Sequence, residues 1–240
     1  MESVIIPIHD YFLDLFGNSM EYYWRTYNYK NPIPQLQNIS ACAEMLGLYE
    51  PLDMKKLENF ISVSPVLKFV EILATRLTEP LSPESKLYQA EYIEIIQNDL
   101  TLPAVLRHFQ GRRASLECIR CDNSELSKFV NAWKSGEACQ KLEFLKVERL
   151  PGNDQVFAQI LHAIGAKYID AAKQPPTHSL PRFSSRFIVL DNERAMTPIT
   201  SHTYVVRESD NRVASVLIQE KKFYFGVWDK TEEEFLRMVE

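Results

Sequence analysis

A word of the form apolar–Glu–apolar–apolar recurs along the middle of the chain. Its copies are Val70-Glu71-Ile72-Leu73, Ile93-Glu94-Ile95-Ile96, Leu116-Glu117-Cys118-Ile119 and Leu142-Glu143-Phe144-Leu145, at spacings of 23, 23 and 26 residues. In extended backbone successive side chains point to opposite faces, so the two residues flanking each Glu share a face and each word reads as a strand. Between the words lie apolar residues at helical spacing. In "NSELSKFVNAWKSG" Ser124 is placed to cap, Leu126, Phe129, Val130 and Trp133 form the stripe, and Gly136 supplies a left-handed stop. In "LTLPAVLRHFQG" Thr101 caps, Leu102, Val105, Leu106 and Phe109 form the stripe, and Gly111 closes it. "LDMKKLENFIS" has Asp53 as cap with Met54, Leu57, Phe60 and Ile61 on one side. The 74–89 connection carries two prolines and reads as loop with a short helical turn.

Three residues beyond the second apolar position of the first three words stand Thr75, Asn98 and Cys121, whereas the last copy has Val147. Apolar-x-apolar-x-x-Asn/Cys/Thr is a loose form of the leucine-rich-repeat strand, whose polar residue bonds the turning backbone. "EMLGLYEPLD" supplies a degenerate earlier copy, with Leu46 placed 24 residues ahead of Val70. Strand, capped helix and strand at this period predict an α/β leucine-rich-repeat-like solenoid over 39–180, with parallel strands lining one side. An ordinary open α/β sheet is the competing architecture.

The ends differ. Residues 7–16 read as a helix with Ile8, Phe12, Leu15 and Phe16 on one side, followed by the aromatic run 21–29, so 1–38 is expected to cap the open end of the solenoid. "NDQVFAQILHAIGAKYIDAA" is a further helix capped by Asn153, and "KQPPTHSLPR" reads as a linker. Over 181–240 the texture changes to a small antiparallel β extension. It holds three strands separated by "ESDN" and "QEKK", then a short helix capped by Thr231.

The totals narrow the function classes. At 240 residues with 45% hydrophobic and 25% charged content, the composition is that of a globular protein. A net charge of −5 with no Lys/Arg run argues against nucleic acid as a partner. No signal-peptide pattern and no membrane-length apolar stretch is present. With only four cysteines, reduced thiols and a cytoplasmic or nuclear location are expected.

Candidate chemistry is sparse. Seven scattered glycines form no phosphate loop, no nucleophile elbow or His-Glu-x-x-His occurs, and the five histidines are dispersed, so no cofactor is expected. Cys118-x-x-Cys121 has only Cys139 as a plausible third metal ligand, with no fourth indicated, and lies along a strand, so it reads as structural, with neither metal nor redox chemistry. If the words stack in register, Glu71, Glu94, Glu117 and Glu143 form an acidic ladder. Neighbours ~4.8 Å apart would repel by ~0.9 kcal/mol in water. Leu73, Ile96, Ile119 and Leu145 would form a parallel apolar row. Such a face suits docking of a basic, partly apolar protein segment; the plainer alternative is a solvated row of charges.

At "LSKFVNAWKSGEACQKLEFLKV" (126–147) the chain resembles the F-box-associated domain of the large nematode F-box protein expansion. That domain has a capped Leu-Phe-Trp-Gly helix running into a Leu-Glu-aromatic-Leu strand. The likeness covers about 86–150. "HDYFLDLFGNSMEYYW" is similar to the segment that follows the F-box, and "TYVVRESDNRVASV…FYFGVW" to the arginine-bearing hairpin at the end. Asp210-Asn211 stands where relatives favour Asp-Gly, and no F-box precedes residue 9. The resemblance implies a target-recognition module of a substrate receptor for a cullin-type ubiquitin ligase. Its association with the ligase would be indirect, and the transfer chemistry would lie in other subunits. The expectation is therefore a non-enzymatic protein-binding domain; the alternative is a small α/β enzyme whose site the motifs do not reveal.

Overall fold

Strands in the first half of the chain lie side by side in sequence order, each parallel to the next. The computed structural model describes residues 2–17, 21–47, 49–97, 102–118, 122–180 and 197–239. The chain separates into two units, Met1–Cys121 and Asp122–Glu240, a division that falls within the 39–180 segment. The first unit contains α1 (Glu2–Phe16), β1 (Tyr22–Thr26), β2 (Ile39–Gly47), α2 (Met54–Val63) and β3 (Phe69–Ala74). A 3-10 turn (Lys86–Gln89), β4 (Tyr92–Gln97), α3 (Leu102–His108) and β5 (Arg113–Cys118) complete it. The strands pair as β1-β2-β3-β4-β5. A mixed α/β architecture with parallel strands thus stands as expected.

Alternation along the strands sends Ala43 and Met45, Val70 and Ile72, Ile93 and Ile95, and Ala114 and Leu116 to one face, where all are buried. Each fully buried Val, Leu or Ile contributes roughly 1.5–3 kcal/mol, so this face is a main source of the unit's stability. Helix α2 forms as its sequence dictates. The Asp53 carboxylate accepts from the Lys56 amide at 3.1 Å, and Met54, Leu57, Phe60 and Ile61 are buried. The turn at 86–89 matches the expected loop with one helical turn. In α3 the stripe is buried, while Thr101 lies outside the described residues.

Two expectations for this unit are corrected. Gly111 is no left-handed stop. Its backbone passes so close to the 3-10 turn that a Cβ would stand 2.0 Å from the Ala90 carbonyl oxygen, so the close approach is what requires glycine. In α1 the Ile8, Phe12, Leu15 and Phe16 side faces solvent, at 51%, 40%, 56% and 53% exposure, and does not cap the core. Among the described side chains of α1, His9 is the buried one.

The second unit holds α4 (Asn123–Ser135), β6 (Phe144–Glu148), α5 (Asp154–Ala163), β7 (Lys167–Tyr168), β8 (Thr177–His178) and β9 (Ile199–Thr200). It continues with β10 (Thr203–Val206), β11 (Arg212–Gln219), β12 (Lys222–Thr231) and α6 (Glu232–Leu236). Strands β6-β12-β11-β10-β7 pair antiparallel in that order, and β8 pairs with β9. The three C-terminal strands and the Thr231 cap are as expected, with a reciprocal capping box between Thr231 and Glu234. Asn153 caps α5 as expected. Helix α4 starts earlier than the Ser124 cap implied. Asp122 is the cap, accepting from the Ser124 amide at 2.9 Å and its hydroxyl at 2.6 Å, because a carboxylate serves both donors at once. Gly136, at φ 80°, ends the helix as expected.

Trp133 of α4 is fully buried and meets Phe225 of β12 edge-on, ring centroids 5.0 Å apart. Above it lies the Arg207 guanidinium, 5.1 Å from the ring centre and only 4% exposed. Arg207 donates to both carboxylate oxygens of Asp210, at 2.8 and 2.6 Å. The following Asn211 takes a left-handed conformation at φ 58°. Asparagine tolerates that region better than most side chains, so Asp210-Asn211 forms this turn without glycine. The expected linker 173–182 contains β8. There His178 is buried, donates from Nε2 to the Val227 carbonyl at 3.0 Å, and lies against Gly226.

Candidate protein-docking face

The face of the first unit's strands opposite the deep core carries three cross-strand rows. In the first, Arg25, Cys42, Phe69, Tyr92 and Arg113 stand in register from β1 to β5. In the second, Glu44, Glu71 and Glu94 are followed by Ser115. In the third, Leu46, Leu73 and Ile96 are followed by Glu117. The expected pairing of Glu71 with Glu94, and of Leu73 with Ile96, is therefore present. Strand parity ensures that Glu117, although displaced by two residues, still points to this face.

The displacement is itself a correction. The third word does not stack on the second, because Ala114-Ser115-Leu116-Glu117 occupies its register. Ile119 lies outside the described residues. The fourth word belongs to the second unit. Glu143 precedes β6 and is half-buried, while Leu145 is 1% exposed and sits opposite Phe225, so Leu145 is core and offers nothing to a partner. Phe144 beside it, on the other face, is buried as well, and a periodic word alone does not reveal that.

Sequence reasoning missed Arg25, Glu44, Leu46 and Arg113. The signal for two of them was present: Ala43-Glu44-Met45-Leu46 is another copy of the word. Its register was misjudged by three residues when Leu46 was set against Val70, whose neighbour is Ala43.

Burial varies along the acidic row. Glu44 and Glu71 are only 5% and 4% exposed, whereas Glu94 and Glu117 are half-buried. Glu44 forms an ion pair with Arg25, whose guanidinium also lies over Tyr27 at 4.9 Å. The ladder is thus no bare row of like charges, because a guanidinium flanks it at each end of the neighbouring row. Leu46 is 58% exposed, and Leu73 and Ile96 are half-buried. The face presents an aliphatic strip whose accessible carboxylates are Glu94 and Glu117.

At the start of these strands Glu21 accepts from Lys68 Nζ and the Tyr23 hydroxyl, both at 2.8 Å, and from the Ser40 hydroxyl. These bonds, that of Lys68 foremost, hold the Glu21 carboxyl at about 2, and the same contact raises Lys68. A depressed carboxyl stabilises the fold fully above its unfolded value near 4.5 and loses that contribution as pH falls towards 2. A raised ammonium contributes below its ordinary value of 10.5 and loses the contribution above it. Glu21→Gln is therefore expected to lower the urea midpoint near neutral pH, with the gap to wild type closing in acid. A gap that persists at about pH 2 would refute the assignment.

Burial pushes the Cys42 thiol up to about 11 and Cys139 to about 12, so both are protonated near neutrality and poor nucleophiles. Cys118 lies in β5, and Cys121 lies outside the described residues. Among the described residues no cluster of three or more His, Cys, Asp or Glu is placed to hold a metal. A separate open cavity of about 550 Å³ lies between α2 and the 3-10 turn. Of its lining residues Ser85 donates to Glu58 at 2.7 Å, and Lys86 donates to the Ser64 carbonyl outside it. No helix among the described residues is long and apolar enough to cross a membrane.

Comparison of the chain with family models, with curated proteins and with solved structures gave no match.

Proposed function

We propose that the chain is a non-enzymatic protein-interaction domain, the target-recognition part of an F-box-type ubiquitin-ligase substrate receptor, acting in the cytoplasm or nucleus. Its target docks along the strand face of the first unit. The observation that carries this reading is the aliphatic strip of exposed Leu46 and half-buried Leu73 and Ile96, in register, with the half-buried carboxylates Glu94 and Glu117 at its border. A strip of this kind supplies apolar contact, and the carboxylate border selects a basic segment. The resemblance over 86–150 supports the receptor assignment. Consecutive parallel strands joined by helical returns support a leucine-rich-repeat-like solenoid as the finer architecture.

The test is quantitative affinity capture with the wild-type chain and with a Glu94→Lys, Glu117→Lys double variant. Both carboxylates are half-buried at the border of the strip, so reversal adds repulsion without emptying the core. A target that docks here is expected to be recovered at least ~10-fold less by the variant, equivalent to about 1.4 kcal/mol. Unchanged recovery of every captured protein would remove the strand face as the site. Direct binding of a purified Skp-type linker subunit would overturn the indirect placement on the ligase.

A further inference from the structure

Helix α1 carries an apolar stripe that faces solvent. Val4, Ile8, Tyr11, Phe12 and Leu15 recur at i, i+4, i+7, i+8 and i+11, which places them within a ~100° arc. They are 61%, 51%, 61%, 40% and 56% exposed. The adjoining side holds the helix to its unit. There His9 is buried, donates from Nε2 to the Gln37 carbonyl at 2.9 Å and meets Tyr22 edge-on at 4.8 Å, while Ile5 and Leu13 are half-buried. One side of α1 is fixed, and the other presents the spacing by which a helix fills a groove.

Charge narrows the occupant. Residues 1–24 contain Glu2, Asp10, Asp14 and Glu21 and no Lys or Arg. Helices that lie on membranes carry cations on their polar face, and this one carries acids. A second copy would bring acidic helix against acidic helix. Asp14 and, further round, Asp10 are exposed on the side of the stripe away from His9, so the complementary surface is apolar with basic groups along one edge. We propose that α1 is a second docking element, separate from the strand face, which inserts into an apolar groove edged by Lys or Arg on a partner protein.

The probe is a synthetic 14-residue Leu/Lys amphipathic helical peptide, whose apolar face is rimmed by lysines, with the Leu/Glu peptide of the same pattern as control. Binding to the full chain is read by fluorescence anisotropy at low salt. The Leu/Lys peptide is expected to bind at least 10-fold tighter than the control. An Ile8→Ser, Leu15→Ser variant should weaken it at least 10-fold without changing the charge, and Asp10→Asn, Asp14→Asn should remove most of the preference. Both substituted pairs are exposed, and an unchanged urea midpoint verifies the fold. Equal binding of both peptides, no binding of either, or binding indifferent to the Ile8/Leu15 substitutions would overturn the proposal. So would concentration-dependent dimerisation in sedimentation velocity, or binding to phosphatidylcholine/phosphatidylserine vesicles, that the Ile8/Leu15 substitutions abolish. None of these substitutions touches Glu94 or Glu117, so failure here leaves the strand-face test standing, and the converse.

Discussion

Trp133→Ala is expected to lower unfolding stability by about 3–5 kcal/mol, the usual cost of deleting a fully buried aromatic side chain. The loss has three identifiable parts. The indole is 0% exposed, it meets Phe225 edge-on, and it forms the floor beneath the Arg207 guanidinium. Alanine leaves a cavity that the antiparallel strands are too rigid to fill, and it removes the cation–π contact. Trp133→Phe should cost far less, roughly 1–2 kcal/mol. A phenyl ring fills much of the space, and the indole N–H it removes finds no acceptor among the described residues. Urea unfolding followed by far-ultraviolet circular dichroism measures both. An alanine variant within about 1 kcal/mol of wild type would show that the tryptophan is not the keystone of its unit.

The second large effect concerns the charge above that ring. Asp210→Ala is expected to cost about 3 kcal/mol, because it leaves Arg207, 4% exposed, without its carboxylate. Arg207→Met should cost less, since it removes the charge and keeps a flexible apolar chain over Trp133. The order matters more than either value: a methionine variant less stable than the alanine one would contradict the burial argument. Hydrogen bonds from Arg207 hold the Asp210 carboxyl below its ordinary value of 3.8. Its stabilisation is therefore complete above that pH and fades below it. The destabilisation by Asp210→Ala should shrink correspondingly in acid.

Local signals proved legible where local physics decides. Asp53, Asn153 and Thr231 cap helices because a side-chain oxygen three residues ahead of an amide satisfies it whatever the surroundings. The in-register pairing of Glu71 with Glu94 was legible because parallel strands of like pattern align their buried residues. What covers a stripe is not written in the stripe. Ile8, Phe12 and Leu15 have a core helix's spacing and face solvent, while Leu145 has a surface word's pattern and is buried. Glu117 slipped by two residues because register depends on the length of the returning leg, to which side-chain alternation is blind. The guanidiniums beside the carboxylates escaped notice because Arg25 and Arg113 lie on strands whose own sequences lack or displace the repeated word.

His178 and Gly226 carry a consequence for divergence among any sequences that keep this packing. A methyl group at 226 would stand 2.7 Å from His178 Nδ1 and 2.8 Å from the ring carbon beside it. The imidazole therefore occupies the volume that every other amino acid would claim for its first carbon. A lineage that replaces the glycine must surrender the histidine, or move the short strand that carries it. The glycine can therefore change only if the histidine gives way, and Ile199, whose Cδ1 would stand 2.8 Å from the new carbon, must shift as well.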